Sequence, residues 1–409
     1  MGMQTNGTNG KSWAQTYPEL GTGPVPIEPC ISAEYHALER ERIFKQVWLN
    51  VGRVEEIPKA GDYLVKNIAA GEASVLIVRG QDGTIRAFHN MCSHRGNKVV
   101  WDGDGTCRGV FACKFHGWSY NTEGRLIFVP DEDQFFDLDK TAHGLTPVAA
   151  DTWEGFIFIN LAPQPRETLT EYLGELGEQL HGFPFGQYTT RYTYQTEAKV
   201  SWKVAADAFQ EGYHVAFIHA RSLPSYGPRE NPLVHLPCVK LYRNHRRFSV
   251  DGNPTPKPTP IQTLVHKLGR SFDTMLSAST DDLPPYLNPG KVPNWSFDIN
   301  VIFPNFFVDV LDGMYFTYNF WPLAVDRTLW EFRQYFPPAT SVAQRFTQEY
   351  SKCLFRDALL EDLSTLEETQ QALATRAKTH FLLQDNEVCI RHGHKVIEEY
   401  VGFYSGGGA

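Results

Sequence analysis

Two short segments, each combining one cysteine with one histidine, constrain this chain more than any other feature. Cys92-Ser-His94 is followed, after eighteen further residues, by Cys113-Lys-Phe-His116. A glycine comes directly or shortly after each histidine, and glycine lets a backbone pass close to a bulky group. Two thiolates and two imidazoles with these spacings can hold a two-iron cluster asymmetrically. The two segments are therefore predicted to form one redox centre that transfers electrons.

In this interpretation Cys92 and Cys113 bind one iron of a [2Fe–2S] cluster, and His94 and His116 bind the other. Replacing two thiolates with neutral imidazoles raises the reduction potential, which is the Rieske arrangement. A structural zinc site also accepts two Cys and two His, but zinc fingers pair Cys with Cys and His with His. A disulfide between Cys92 and Cys113 is disfavoured because nothing indicates an oxidising compartment.

Composition excludes several classes of protein. At 409 residues the chain suggests two domains, and 42% hydrophobic residues can bury a sizeable core. The net charge of −9 and the lack of a basic tract argue against nucleic acid as a partner. The seven cysteines do not show the dense, even pattern of a secreted disulfide scaffold. The start of the chain has no signal-peptide core, and no apolar run reaches about 20 residues. The sequence therefore predicts a soluble cytoplasmic protein that does not bind membranes.

The chain is predicted to contain three regions. Residues 1–50 form a polar leader and a helix over Ser32–Trp48, which begins with a plausible Ser cap and leads into the cluster domain. Residues 51–163 show short β-rich runs between turns, which predicts an all-β domain with the cluster at its hairpin tips. Trp101–Cys107 is predicted to be a turn, and Cys107 a bystander instead of a ligand.

Residues 164–409 are predicted to form an α+β domain. A helix is expected near residues 167–179, and a Pro-rich excursion lies at residues 253–260. Antiparallel strands followed by a long helix are typical of this class. The strands are predicted at residues 296–303, 306–310, 314–320 and 329–336, and the helix at residues 341–375.

A second constellation, Glu211-Gly-Tyr-His214-Val-Ala-Phe-Ile-His219, lies in this domain. Two His and one carboxylate with free coordination positions are typical of mononuclear non-haem Fe(II) sites that activate oxygen. The histidines are five residues apart, which separates them by about 140° on a regular helix. A π-type widening or a helix end is therefore required to bring them together.

The third ligand is expected from the predicted long helix. Leu359, Leu363 and Leu366 mark its buried side, and Asp362 lies at the edge of that side. Asp362 is therefore the predicted ligand, and Glu361 is the alternative. The remaining acidic residues of this segment, most of which must face solvent, are Asp357, Glu367 and Glu368.

Taken together, these motifs resemble the catalytic α subunit of Rieske-type non-haem iron oxygenases, the aromatic ring-hydroxylating oxygenase family. The resemblance covers nearly the whole chain and implies a catalytic domain of the helix-grip type. It implies that Glu211 is a catalytic carboxylate between a cluster histidine of one subunit and His214 of its neighbour. Asp207, where many members have Asn, is a further candidate catalytic residue.

The resemblance also implies cofactors and partners. A [2Fe–2S] Rieske cluster and a mononuclear Fe(II) would receive NAD(P)H electrons from a separate flavin reductase, with or without a ferredoxin. The assembly would be a homotrimer, or an α3β3 complex with a small β subunit. The substrates would be O2 and a small hydrophobic molecule.

The predicted reaction is hydroxylation of an aromatic or cyclic hydrophobic substrate. Monooxygenation or demethylation of an alicyclic or steroid-like substrate is an alternative, and a Rieske electron carrier without oxygenase activity is an alternative of another class. Trp118 is expected to shield the cluster, and the substrate pocket is expected to be rich in aromatic residues. The candidate wall residues are Phe209, Phe217, Phe303, Phe307 and Phe320.

Overall fold

The computed structural model describes residues 12–101, 103–223, 235–253, 257–269 and 283–404. They form two compact units, Arg40–Tyr172 and a second unit in which the described residues of Met1–Glu39 join those of Leu173–Ala409. The start of the polar leader and residues 254–256 of the Pro-rich excursion lie outside the described residues. The domain limits at residues 50 and 163 stay predictions.

The unit Arg40–Tyr172 is built from β-strands, as the sequence predicted. A small antiparallel sheet of three strands carries one of the two Cys-His segments on its first hairpin; its strands are Val110–Ala112, Ser119–Asn121 and Leu126–Phe128. The larger antiparallel sheet has seven strands, in the order Trp48–Arg53, Phe156–Asn160, Pro147–Trp153, Ile85–His89, Ala73–Arg79, Asp62–Ile68 and Asp104–Thr106.

The predicted turn at Trp101–Cys107 is wrong in part. Asp104–Thr106 form an edge strand that pairs with Asp62–Leu64. Polar residues and glycines hide this strand from sequence reasoning, because its pairing depends on the neighbouring strand and not on a hydrophobic pattern. Cys107 packs against the apolar core beneath the cluster segments.

The helix predicted over Ser32–Trp48 is shorter than expected. The Ser32 hydroxyl accepts a hydrogen bond from the Tyr35 amide at 3.1 Å, as the predicted cap requires. The α-helix covers Ala33–Glu39, a π-helical segment follows at Arg40–Phe44, and Trp48 already begins a strand. Within the second unit, the Lys203 ammonium lies 2.6 Å from the buried Glu39 carboxylate.

A seven-stranded antiparallel sheet forms the centre of the second unit, which confirms an α+β domain. The four predicted strands and the long helix are present within a few residues of their predicted ends. The sequence analysis missed the strands at Thr190–Ala198, Cys238–Leu241 and Arg246–Asp251. The strand order across the sheet is Thr190–Ala198, Arg327–Phe336, Met314–Ala324, Phe306–Leu311, Trp295–Ile302, Arg246–Asp251 and Cys238–Leu241.

The long helix packs on this sheet through aromatic side chains. Phe355 lies 4.7 Å from Phe316 and 5.1 Å from Phe332, measured between ring centroids. Val25–Pro26 and His380–Phe381 add a two-stranded ladder. The α-helices are Trp13–Thr16, Ala33–Glu39, Leu169–Gln179, Trp202–Asp207, Val215–Ile218, Pro260–Leu268, Val342–Ala374 and Val388–Val401. None of these helices is long and apolar enough to cross a membrane.

Candidate redox and metal centres

The two Cys-His segments fold into loops with the same backbone pattern. The amides of Gly96 and Gly117 each donate to the carbonyl of the cysteine four residues earlier, Cys92 and Cys113, at 2.9 Å. Each cysteine amide donates to a carbonyl five residues ahead at 2.8 Å. The glycines have φ values of 75° and 73°, a region that side chains with a Cβ rarely adopt. The two loops therefore present their ligands in equivalent ways.

These loops bring the four predicted cluster ligands together. The rings of His94 and His116 lie 4.6 Å apart between centroids. Cys92 and Cys113 are buried, and neither forms a disulfide. The Nδ1 atom of His94 is buried and has no hydrogen-bond partner among the described residues. Because buried polar atoms are normally satisfied, this nitrogen is suited to bind a metal.

Two side chains that the sequence analysis missed support the sulfur atoms. The Tyr120 hydroxyl accepts the Ser93 amide at 3.0 Å and lies 3.3 Å from the Cys92 Sγ, so its proton is free for the sulfur. The side-chain amide of Asn97 donates a hydrogen bond to the Cys113 Sγ at 3.7 Å. Burial opposes a charge on Cys113, but the backbone amide of Phe115 and the Asn97 side chain help to lower the pKa of this thiol.

Trp118 covers one side of this centre. Its ring stacks on His94 with 5.0 Å between centroids and 9° between planes. His116, in contrast, is exposed; Phe115, next to it, and Met91, which precedes Cys92, are both 53% exposed. An accessible imidazole with an apolar rim is suited to electron exchange with a docked protein.

The second pair of histidines lies at the two ends of one helical turn. His214 is the N-cap of the helix Val215–Ile218, and His219 is its C-cap. Of the two geometries that the sequence allowed, the helix end is therefore the one observed. The two imidazole rings lie 5.3 Å apart between centroids.

Asp362 of the long helix faces both histidines. Its Oδ1 atom lies 3.1 Å from the His219 Nε2 and 3.8 Å from the His214 Nε2. Donor atoms of the three residues all lie within 4.8 Å of one another. Asp362 is only 4% exposed, and its Oδ1 has no hydrogen-bond partner among the described residues. A buried carboxylate oxygen facing two imidazole nitrogens fits a mononuclear Fe(II) site.

The opposite nitrogen of each imidazole contacts a carboxylate. The His219 Nδ1 lies 2.9 Å from Glu361, which also accepts the Ser222 hydroxyl at 2.6 Å. The His214 Nδ1 contacts Glu211. Such partners orient metal-binding histidines. Burial alone would lower the pKa of His219, but the carboxylates of Asp362 and Glu361 have the larger combined effect and raise this pKa above its usual value. Glu361, the alternative ligand, therefore lies behind His219.

The carboxylate of Asp207 contacts a histidine other than the two candidate iron ligands. Asp207 ends the helix Trp202–Asp207, and its carboxylate lies 2.8 Å from the His394 Nε2 on the C-terminal helix. It does not line the cavity next to the three candidate ligands. The geometry therefore gives no support for a catalytic role of Asp207, which stays a prediction.

A largely apolar cavity of about 100 Å³ adjoins these ligands. Of the five predicted wall residues only Phe209 lines it, and Phe217 is 66% exposed. The other aromatic wall residues come from alternate positions of paired strands and from the long helix, which a pattern along the chain does not reveal. They are Phe248, Phe297, Phe316, Tyr318 and Phe355.

Comparison with protein families identifies the chain. Residues 47–148 match the Rieske [2Fe-2S] domain, and residues 185–402 match the ring hydroxylating alpha subunit (catalytic domain). The chain belongs to the family of ring-hydroxylating oxygenase α subunits, and the predicted family is confirmed. Membership implies a Rieske [2Fe–2S] cluster and a mononuclear iron.

The curated relatives include enzymes with different substrates. The glycine betaine monooxygenase oxygenase subunit of Chromohalobacter salexigens is 35% identical over 48% of this chain and 44% of its own length. The carnitine monooxygenase oxygenase subunit of Escherichia coli (strain K12) is 31% identical over 44% and 48%. The biphenyl 2,3-dioxygenase subunit alpha of Rhodococcus jostii is 36% identical over 43% and 39%. The chain thus matches less than half the length of each.

Solved structures support the fold. Naphthalene 1,2-dioxygenase from Rhodococcus sp. superimposes with a TM-score of 0.73, at 20% identity, over 95% of this chain and 97% of that one. A quaternary ammonium Rieske monooxygenase in complex with L-carnitine gives a TM-score of 0.70, at 20% identity, over 92% and 95%. At this identity the likeness concerns the fold alone.

Proposed function

We propose that this protein is the terminal oxygenase component of a Rieske non-haem iron system and hydroxylates a small, largely apolar substrate. The observation that carries the proposal is the buried Asp362 Oδ1, which lies 3.1 Å from the His219 Nε2 and 3.8 Å from the His214 Nε2. This set would hold the mononuclear iron, and Cys92, His94, Cys113 and His116 would hold the cluster.

When bound, the cluster supplies single electrons and the iron provides open positions at which oxygen is activated. The protein contributes position and exclusion of water. Glu361 and Glu211 hold the two imidazoles by their Nδ1 atoms, so each Nε2 points to the Asp362 oxygen. The largely apolar walls make water in the cavity unfavourable.

The electrons would come from NAD(P)H through a separate flavin reductase, with or without a ferredoxin. The exposed His116 with its apolar rim supports docking of a partner. We further propose a trimer, with or without a small β subunit, in which Glu211 connects His214 to a cluster histidine of the neighbouring subunit. The contact between Glu211 and the His214 Nδ1 is compatible with one half of this bridge.

Two substrate classes are supported by different observations. The aromatic walls of the cavity favour an aromatic or cyclic hydrophobic molecule, as the sequence predicted. The names of several relatives favour a quaternary ammonium compound instead. Both classes are compatible with the same oxygen-activating site.

Metal content and oxygen consumption test the proposal. The oxygenase requires two irons in the cluster and one more per chain, whereas an electron carrier requires only the two. With a reductase and NADH, substrate should stimulate oxygen uptake and form a product containing oxygen from 18O2. A purified protein with a complete cluster that neither binds the additional iron nor incorporates oxygen would contradict the proposal.

A further inference from the structure

Asp309 is a buried carboxylate in the sheet wall of the cavity, which is otherwise apolar except for the hydroxyl group of Tyr318. It lies on the strand Phe306–Leu311, is 2% exposed and lines the cavity. Its Oδ1 has no hydrogen-bond partner in the part of the chain that the structure describes. Burial raises the pKa of this group well above its usual value. Burial therefore favours the neutral carboxyl group, and a cation beside it would favour the charged carboxylate.

The neighbours of Asp309 offer no compensating charge. Its cross-strand partners are Ile299 and Phe316. Ile299 in turn pairs with Phe248 on the next strand of the sheet. No Lys or Arg lines the cavity among the described residues. The charged or ionisable groups that line it are Asp309, Glu211, His214, His219, Tyr318 and Asp362.

A second buried aspartate on the adjacent strand shows the contrast. Asp298 accepts hydrogen bonds from Arg247 at 2.8 Å and from the Ser249 hydroxyl at 2.6 Å. It therefore has the partners that a structural buried carboxylate needs. Asp309 has a hydrogen bond with the backbone of Asn300 but no cationic partner of this kind, so its Oδ1 is left for a ligand in the cavity that it lines.

The rings around Asp309 have differently oriented faces. Phe316 lies 5.7 Å from Tyr318 at an interplanar angle of 82°, and 6.1 Å from Phe297 at 53°. Aromatic faces attract cations, and they do so more strongly when water is excluded. The wall around the carboxylate therefore suits a cation with an apolar surface.

We propose, on the basis of the function proposed above, that Asp309 selects a substrate with a fully alkylated ammonium group. Its carboxylate compensates the positive charge, while the alkyl groups contact the aromatic rings. A primary ammonium would bring three N–H donors into a wall that offers few acceptors, and each unpaired donor weakens binding. A quaternary nitrogen has no such donor.

Pairs of ligands that differ only in charge test this inference. Choline and 3,3-dimethylbutan-1-ol form one pair, and benzyltrimethylammonium and neopentylbenzene form another, with nitrogen replaced by carbon in each. Isothermal titration of the holoenzyme should show tighter binding of at least one cation, by about tenfold or more. Asp309→Asn should remove most of this preference, and Asp309→Ser provides a second variant in case the first does not fold.

Asp251→Asn is the matched control. Asp251 belongs to the same sheet, and burial raises its pKa to about 6, but it does not line the cavity. This variant should keep the cation preference. The inference is overturned if neither cation binds better than its isostere, or if Asp309→Asn keeps the preference. Equal weakening of the binding of both ligands of a pair would also overturn it, since Asp309 would then maintain the cavity and not compensate a charge.

The outcome can be separated from the proposed function. A protein that has its mononuclear iron and incorporates oxygen into a substrate, but shows no preference for cations, refutes only the role of Asp309. A protein that lacks the additional iron refutes the oxygenase proposal, whatever it binds.

Discussion

Replacement of Glu361 by glutamine tests how the iron site is held. Glu361 accepts a hydrogen bond from the His219 Nδ1 at 2.9 Å and from the Ser222 hydroxyl at 2.6 Å. Hydrogen bonds to a charged group contribute about 1.5–3 kcal/mol, and neutral ones about 1 kcal/mol. Glutamine keeps the shape but removes the charge, so the hydrogen bond to His219 should weaken by about 0.5–2 kcal/mol. The expected result is Fe(II) binding that is weaker by about tenfold.

The assay is competition for the mononuclear iron with a chromogenic chelator, while the visible absorption of the cluster stays constant. Asp362→Ala should lose this iron by a far larger factor, because it removes a ligand. Glu368→Gln, at an exposed position of the same helix, should bind iron as the unmodified protein does. Unchanged iron affinity in Glu361→Gln would refute the positioning role. Loss of all iron in Glu361→Ala, with iron retained in Asp362→Ala, would show that Glu361 is the ligand.

The remaining predictions concern the cluster, the electron path and stability. His94→Cys should abolish the rhombic EPR signal of the Rieske centre; an unchanged spectrum would remove the cluster assignment. Tyr120→Phe should lower the cluster potential in a spectroelectrochemical titration, because a donor to the Cys92 sulfur is lost; an equal potential would argue against this hydrogen bond. Glu211→Gln should keep both metals but reoxidise the reduced cluster more slowly in stopped flow; a normal rate coupled to product would exclude the proposed bridge. Glu39→Gln should cost about 3–5 kcal/mol in urea unfolding, because the Lys203 charge stays buried without its partner; a loss below 1 kcal/mol would contradict this. Burial opposes ionisation of Glu39, but Lys203 outweighs it and lowers the carboxyl pKa. The pair's contribution is therefore complete above pH 4.5 and is lost as pH falls through the lower folded-state pKa.

Local patterns were sufficient for the cluster loops and for much of the fold. The spacings around Cys92 and Cys113, with a glycine four residues after each, specify two similar loops because ligands and backbone turns lie within a few residues. The long helix and the strand at Trp295–Ile302 were predicted within two residues of their ends. Their hydrophobic periodicity reflects faces that are buried whatever the details of packing.

The sequence also contains patterns that indicate one strand and one helix missing from the predicted elements. The strand Thr190–Ala198 alternates between partly buried and exposed residues, a period that its Tyr and Thr residues show in the sequence. The helix Val388–Val401 was also missed, although its apolar residues face one side.

The tertiary structure decided the chemistry of the second centre. Asp362 and Glu361 are adjacent on one helix, and a step of about 100° per residue separates their directions. Only the packing of that helix determines that Asp362 faces the two imidazole Nε2 atoms and that Glu361 lies behind His219. The cavity wall depends on strand register, which brings together residues as distant in the chain as Phe248 and Phe316. The same register leaves Asp309 buried without a cationic partner, because burial and pairing depend on neighbours across the sheet and not along the sequence.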